Sequence, residues 1–214
     1  MKIWIICSGE REGLWPRRCD AAAFTACARR AAEEAPEPRQ ERKMKAGEET
    51  VLLAPTAAAR RTAELCVEGG ALREEPLLAP VLQTAEGKGE HSPRFWRLRA
   101  DWQRRREGGG QPESQKQIRA RAERLLTRLL EEEKDCTLIA DCLLAEELMD
   151  AARRLGCARA RTGIFRCRPW ERILITRRDM HCGGCGHNCL LSNPGCGVGR
   201  DKAMRMKQAG NHTR

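Results

Sequence analysis

The sequence lacks any run of apolar residues close to the ~20 that a membrane-spanning helix needs. Its apolar opening, residues 1–7, is also too short for a secretory signal. These absences predict a cytoplasmic protein that has no membrane partner. Thiols stay reduced in the cytoplasm, so the cysteines outside the C-terminal region are predicted to be small buried hydrophobic residues. They are Cys7, Cys19, Cys27, Cys66, Cys136, Cys142, Cys157 and Cys167.

The chain carries a formal net charge of +10 over 214 residues, a length that suits one main domain and a small appendage. Most of the positive charge comes from arginines scattered among alanines, a bias that fits genome composition as well as an anionic partner. A nucleic-acid hypothesis rests on residues 94–106, where basic and aromatic side chains could contact phosphates and stack on bases. The residues concerned are Arg94, Trp96, Arg97, Arg99, Trp102, Arg104, Arg105 and Arg106.

Short apolar runs alternate with helical segments along most of the chain. Such alternation predicts an α/β fold with a largely parallel sheet and helices on both faces. Residues 37–49 are predicted to be a surface connection, Gly69-Gly70 a turn, and 71–111 an irregular insert with a short helix at 93–106. The predicted strands are 2–7, 51–54, 136–140, 162–167 and 173–176, the last two forming a hairpin, and the predicted helices are 20–34, 57–67, 114–130 and 143–155.

Three strand ends are candidate ligand sites, because ligands of parallel sheets bind in the crevice at the carboxyl ends of the strands. The segments that follow the predicted strands are 7–10, 54–56 and 140–142. A serine nucleophile at Ser8 would need an adjacent base, and no histidine lies near these segments in sequence. Gly13 stands where the C-x5-R loop of cysteine phosphatases would need its arginine.

The cysteines near these strand ends have two interpretations. Cys7, Asp141 and Cys142 supply two thiolates and a carboxylate, which could together hold a metal. Alternatively, Cys7 and Cys142 are buried thiols and Asp141 is a solvated carboxylate.

The region from His181 to Arg200 contains four cysteines within fifteen residues, spaced C-x2-C-x3-C-x6-C. Interleaved glycines allow the positive φ angles and the close backbone approach that a thiolate site needs. A metal is the predicted occupant, either a zinc ion or an iron–sulfur cluster, and two disulfides are the alternative. The predicted ligands are Cys182, Cys185, Cys189 and Cys196, and His181 or His187 could replace one thiolate.

Several motifs in residues 1–178 are similar to those of one enzyme family. The segment CSGE at 7–10 stands where the family has R-H-G-E, and APTAAARRTAEL at 54–65 echoes its signature S-P-L-x-R-A-x-Q-T-A. Leu72-x-Glu74 looks like the acid segment L-x-E, and residues 139–142 correspond to a strand that ends in V-S-H-G. The two tryptophans and QPES at 111–114 look like one bacterial branch. On these motifs the chain resembles the histidine phosphatase superfamily.

The resemblance implies a phosphoglycerate mutase-like three-layer sandwich whose catalytic groups are replaced. The family's first arginine, nucleophilic histidine, second arginine and second histidine fall on Cys7, Ser8, Ala58 and Asp141, and its general acid falls on Glu74. In an active member those groups gather positive charge around a phosphoryl group while the histidine attacks phosphorus. A carboxylate about 4 Å from a phosphate oxygen would instead repel it by about 4 kcal/mol.

These replacements predict a pseudoenzyme that acts as a binding or regulatory protein for a protein or small-molecule partner. An active phosphomonoesterase or mutase with a non-standard nucleophile is the alternative. The predicted domains are a phosphatase-like α/β domain at 1–178 with the insert 71–111, a small cysteine-rich metal-binding knuckle at 179–200, and a flexible tail at 201–214.

Overall fold

Apolar segments of the chain form the strands of one sheet in the computed structural model, which describes residues 1–37, 43–106, 110–159 and 167–177. The described strands are β1 (Lys2–Cys7), β2 (Met44–Leu53), β3 (Val67–Glu74), β4 (Cys136–Ala140), β5 (Cys157–Arg159) and β6 (Arg172–Arg177). The described helices are α1 (Ala21–Glu33), α2 (Ala57–Cys66), α3 (Pro93–Arg105), α4 (Gln115–Glu132) and α5 (Cys142–Arg154), with a 3-10 turn at Pro76–Leu78.

The strand order is β3-β2-β4-β1-β6-β5. Strands β1 to β4 run parallel to one another. Strand β6 pairs antiparallel with β1, and β5 pairs antiparallel with β6. The prediction of an α/β fold with a largely parallel sheet is therefore confirmed for the described residues. Because β1, β2 and β4 are adjacent and parallel, their carboxyl ends lie side by side at one edge of the sheet.

Polar side chains cap the first turns of the helices. The side chain of Thr56 accepts the amide of Ala59 at the start of α2, and Ser114 forms a capping box with Gln117 at the start of α4. Side chains of this kind satisfy amide groups that have no partner inside the helix. The cap at Thr56 therefore helps to fix the short connection between β2 and α2 at the carboxyl edge of the sheet.

Two clusters of buried side chains hold the described residues together. The larger one consists of the sheet and the apolar faces of α2, α4 and α5. The smaller one joins α1 to α3 through Phe24 and Trp96, which are both fully buried. The indole Nε1 of Trp96 donates to the backbone oxygen of Cys19 at 2.8 Å. The predicted irregular insert is thus packed against the rest of the fold.

Two of the predicted connections are strands. Strand β2 begins at Met44, inside the predicted surface connection 37–49, and β3 runs through the predicted turn Gly69-Gly70 into the predicted insert. Most of β3 is exposed, because it is the edge strand of the sheet, so it has no continuous apolar pattern. Both glycines have positive φ, and a Cβ at Gly70 would lie 2.8 Å from the backbone oxygen of Glu49. This close approach explains the glycine within the strand.

The predicted hairpin has a different first strand. Strand β6 pairs with β1 and with β5, which lies at 157–159 rather than at 162–167. Cys167 belongs to no strand, and residues 162–166 are outside the described residues. The predicted turn at 168–170 is present, since the amide of Glu171 donates to the oxygen of Arg168 at 3.1 Å.

Every prediction about the C-terminal region lies outside the described residues, which end at 177. These predictions are the domain boundary at 178, the metal ligands and the flexible tail. No helix in the described part of the chain is long and apolar enough to cross a membrane. The eight cysteines predicted to be buried thiols form no disulfide with one another, and six of them are buried.

Candidate functional site

A pocket of about 180 Å³ lies at the carboxyl edge of the sheet. The predicted segments after β1, β2 and β4 converge there, together with part of α1, the loop after Pro80 and the turn before β6. The lining residues used below are Ser8, Gly9, Glu10, Trp15, Ala58, Gln83, Arg97, Asp141, Cys142, Glu146 and Cys167. Of the five family positions, 8, 58 and 141 line this pocket.

Ser8 is held by the end of strand β4. Its backbone amide and its Oγ both donate to the backbone oxygen of Ala140, at 2.8 and 3.0 Å. The one histidine among the described residues, His91, is outside the pocket lining and stacks on Phe95 with ring centroids 4.1 Å apart. A serine needs an adjacent base to become a nucleophile. The hydroxyl of Ser8 has a carbonyl partner instead.

Gly9 is locked between α2 and the turn before β6. Its amide donates to the Oγ1 of Thr62 at 2.9 Å, and that hydroxyl donates to the backbone oxygen of Ala58 at 2.7 Å. A Cβ at position 9 would lie 2.2 Å from the indole of Trp170. The segment after β1 therefore follows a course that leaves no room for a larger residue at position 9.

Asp141 is the N-cap of α5. Its Oδ1 accepts the amides of Leu143 and Leu144 at 2.8 and 3.1 Å, and its Oδ2 accepts the amide of Val81 at 3.0 Å. Burial raises the pKa of this carboxyl above its usual value, and the three amide hydrogen bonds and Arg121 oppose that rise. The expected solvated carboxylate is thus a cap that ties the loop at Val81 to helix α5.

The pKa of Asp141 predicts how its contribution to stability changes with pH. When the folded-state pKa is raised, the folded protein binds a proton that the unfolded chain has lost, so stability rises as pH falls through the folded-state pKa. Wild type should therefore gain stability relative to Asp141→Asn between neutral pH and the unfolded-state pKa, near 3.8. Urea unfolding of both proteins across that range measures the difference. A constant or opposite difference would show that the amides outweigh burial.

The charges of the pocket do not suit a phosphate group. Arg97 is the one cation in the lining, and its guanidinium lies 3.8 Å from the carboxylate of Glu10 and 4.5 Å from the ring of Trp15. The indole of Trp15 also donates to Glu10. Asp141 and Glu146 add two further acidic groups. The acidic groups outnumber the cation, so the lining favours a neutral or cationic ligand.

Glu74 and Cys7 lie outside the pocket lining. Glu74 is exposed at the end of β3, where its carboxylate pairs with Arg60. Cys7 is fully buried behind the pocket. The neighbouring thiols of Cys142 and Cys167, together with burial, raise the pKa of Cys7 far above its ordinary value. No group of three or more histidine, cysteine or acidic side chains in the described residues could hold a metal, which includes the set Cys7, Asp141 and Cys142.

Sequence reasoning did not find Cys167, Glu146 or Arg97 as pocket residues. Cys167 reaches the pocket because β6 pairs antiparallel with β1, and no local motif encodes that pairing. The amide of Cys167 donates to the Oε1 of Glu146 at 2.9 Å. The N-cap role of Asp141 had a usable signal, since an aspartate directly before an apolar helical segment is a common start of a helix.

Helix α3 presents a second candidate surface, made of Phe95, Leu98 and Trp102. These three apolar side chains are exposed at positions i, i+3 and i+7, so they lie along one face of the helix. The guanidinium of Arg106 lies 3.7 Å from the ring centre of Trp102. Four arginines of the predicted nucleic-acid segment are exposed, whereas Trp96 and Arg104 are buried; the exposed ones are Arg94, Arg99, Arg105 and Arg106.

A scan of the sequence against protein-family models found no match, and a search of curated proteins found no similar sequence.

Proposed function

We propose that this chain is a pseudoenzyme on a histidine phosphatase-like scaffold, with a three-layer α/β domain and a C-terminal knuckle in which cysteines bind zinc or an iron–sulfur cluster. In this proposal the protein works in the cytoplasm as a binding or regulatory protein. Its pocket holds a neutral or cationic ligand and performs no phosphoryl transfer.

The proposal rests on one observation, that Ser8, Ala58 and Asp141 all line one pocket at the carboxyl edge of the sheet. The sequence motifs alone match these three positions to catalytic residues of the histidine phosphatase superfamily. The hydroxyl of Ser8 and the carboxylate of Asp141 are both used by backbone groups, and Ala58 supplies no charge. These three positions thus supply neither an activated nucleophile nor a cation for a phosphoryl group.

The scaffold part of the proposal can be tested by restoring the missing groups. The variant Ser8→His, Ala58→Arg, Asp141→His places two histidines and an arginine on the pocket lining without altering the fully buried Cys7. We expect this variant to bind inorganic phosphate in isothermal titration calorimetry, and wild type to show no saturable binding. Circular dichroism would confirm that both are folded. A folded variant that binds no phosphate would contradict the proposed scaffold.

The metal part rests on the spacing of Cys182, Cys185, Cys189 and Cys196. We expect protein purified without oxygen to contain either zinc, or iron together with acid-labile sulfide. Elemental analysis and a sulfide assay measure these contents, and a visible absorbance that bleaches with dithionite would identify a cluster. The matched control is Cys182→Ser with Cys185→Ser, which should lose the metal. Folded wild-type protein that contains neither zinc nor iron would end this part of the proposal.

A second candidate function is nucleic-acid binding by helix α3, favoured by the exposed Trp102 with Arg106 stacked on it. Stacking of a base on an aromatic ring contributes about 1–3 kcal/mol. If α3 binds single strands, Trp102→Ala should weaken binding of a labelled oligonucleotide by that amount, and added salt should weaken it further. The control is Leu72→Ala, which removes another exposed apolar side chain, on β3. Salt-independent retention of the oligonucleotide would exclude this function.

A further inference from the structure

The exposed apolar side chains of α3 follow the spacing of a coiled-coil seam. Taking Phe95 as position a of a heptad puts Leu98 at position d and Trp102 at the next position a. These three side chains are 39%, 62% and 52% exposed. The buried residues of α3 lie on the opposite face, and they are Trp96, Ala100 and Arg104. The solvent side of the helix therefore carries the apolar pattern that faces a second helix in a coiled coil.

Positive charge borders this apolar stripe on both sides. In the same heptad, Arg94 occupies position g, and Arg99 and Arg106 occupy two e positions. All three side chains are exposed, and none forms a salt bridge within the described part of the chain. The acidic residue at the other g position, Asp101, is bound to the buried guanidinium of Arg104 at 3.0 Å. The border of the stripe is thus cationic.

Neighbouring groups hold the aromatic members of the stripe in place. The ring of Phe95 packs on His91 and meets the buried Trp96 edge-on, with centroids 4.1 and 5.2 Å apart. The guanidinium of Arg106 lies over Trp102, 3.7 Å from the ring centre. A side chain that is already ordered loses less conformational entropy when a partner binds. The surface of α3 is therefore pre-organised for binding.

We infer that the surface of α3 docks an acidic amphipathic helix of a protein partner. The apolar side chains of that helix would cover Phe95, Leu98 and Trp102, and its glutamates or aspartates would face the bordering arginines. Removal of the apolar side chains from water supplies the affinity, and charges at e and g set partner choice. This docking rests on the proposed binding or regulatory role and gives it a partner class.

Charge disfavours a second copy of this chain as the occupant. If α3 paired with itself, in either direction, arginines at the e and g positions of one helix would lie next to arginines of the other. Like charges brought together across an interface repel and suppress the pairing. The partner therefore carries the opposite charge at these positions.

Leu98 favours a helix over a nucleic acid. It is the most exposed residue of the stripe and lies between the two aromatic members. Single-stranded nucleic acids bind by stacking bases on aromatic rings, and an aliphatic side chain offers no ring. A facing helix, in contrast, covers a leucine at position d with its own apolar side chains. The contribution of Leu98 to binding therefore distinguishes the two kinds of partner.

The test uses the full chain and a fluorescent peptide about three heptads long, with leucine at a and d and glutamate at e and g. A second peptide has lysine in place of glutamate. Like charges keep each peptide from pairing with itself, and fluorescence anisotropy measures both affinities. We expect the protein to bind the glutamate peptide at least about tenfold more tightly than the lysine peptide, because exposed ion pairs replace like-charge contacts. Added salt should reduce this difference.

Reversing the charge of the border should reverse the preference. The substitutions are Arg94→Glu, Arg99→Glu and Arg106→Glu, made together. This variant should bind the lysine peptide more tightly than the glutamate peptide. The control is Arg124→Glu, Arg153→Glu, Arg154→Glu, which changes the net charge equally at exposed positions of α4 and α5. It should keep the wild-type preference, and circular dichroism would confirm that both variants are folded.

Removing the centre of the stripe should weaken the glutamate peptide. Leu98→Ala is expected to lower its affinity about tenfold, because most of an apolar side chain is lost from the contact. Leu72→Ala is the matched control, since Leu72 is 49% exposed on β3, outside α3. It should leave the affinity unchanged.

Three results would overturn this docking: no binding of the glutamate peptide by folded wild type, equal binding of the two peptides, or unchanged affinity in Leu98→Ala. Oligonucleotide binding that is weakened by Trp102→Ala but not by Leu98→Ala, without binding of the glutamate peptide, would assign the surface to nucleic acid instead. None of these measurements involves the pocket or the C-terminal cysteines. Failure here is therefore distinct from failure of the phosphate and metal tests of the proposed function.

Discussion

Replacing Trp96 by alanine is expected to lower the free energy of unfolding by about 3–5 kcal/mol, the range observed when a large buried aromatic side chain is truncated. Trp96 has no exposed surface, packs with Phe24 between α1 and α3, and donates its indole hydrogen to the oxygen of Cys19. The substitution would leave a cavity and remove one of two donors to the backbone oxygen of Cys19, which also accepts the amide of His91. Urea unfolding followed by circular dichroism measures the loss.

Trp102 offers a matched control on the same helix. Its side chain is 52% exposed, so Trp102→Ala should change stability by no more than about 0.5 kcal/mol. The contrast between the two tryptophans tests whether residues 71–111 are an integral part of the fold. Equal effects of Trp96→Ala and Trp102→Ala would contradict the packing of α3 against α1.

The second large effect is expected at Gly9, where alanine should destabilise the protein by about 1–3 kcal/mol or more, as overpacking of a filled site does. The added Cβ would lie 2.2 Å from the indole of Trp170, so this ring and the turn that carries it must move. Because the amide of Trp170 donates to the backbone oxygen of Cys7, we expect the displacement to reach the end of β1.

A double-mutant cycle with Trp170→Ala isolates the clash. Removing the indole should make Gly9→Ala nearly harmless, so the two substitutions should show a coupling free energy of about 1–3 kcal/mol. Gly13→Ala is a contrasting case: no atom lies within 4 Å of the added Cβ but φ is +72°, so its cost should come from the backbone alone and should not change with Trp170→Ala. Additive effects at positions 9 and 170 would mean that the ring does not constrain Gly9.

The sequence predicts the buried strands and the capped helices well, because their signals are local. Strands β1 and β4 have the predicted bounds, α2 ends one residue before its predicted end, and α5 is shifted by one residue at both ends. Strand β3 could not be recognised, because an exposed edge strand with Gly69 and Gly70 at positive φ lacks both the apolar pattern and the usual backbone.

The pocket could be predicted only in part, because some of its residues come together through contacts between segments that are distant in the sequence. Ser8, Ala58 and Asp141 were found from motifs that lie at the ends of strands or the start of a helix. Cys167 comes to Cys7 through the antiparallel addition of β6, and Arg97 comes to Glu10 through the packing of α3. Contacts between distant segments leave no short motif in the sequence.

The proposal that the pocket performs no phosphoryl transfer is tested most directly by the turnover of an aryl phosphate. Wild type and Ser8→Ala should be purified in parallel and assayed with the same substrate over the same pH range. We expect both to release product at the rate of the buffer alone, because the hydroxyl of Ser8 is bound to Ala140 and has no base. Turnover by wild type that disappears in Ser8→Ala would contradict the account and establish an active phosphatase.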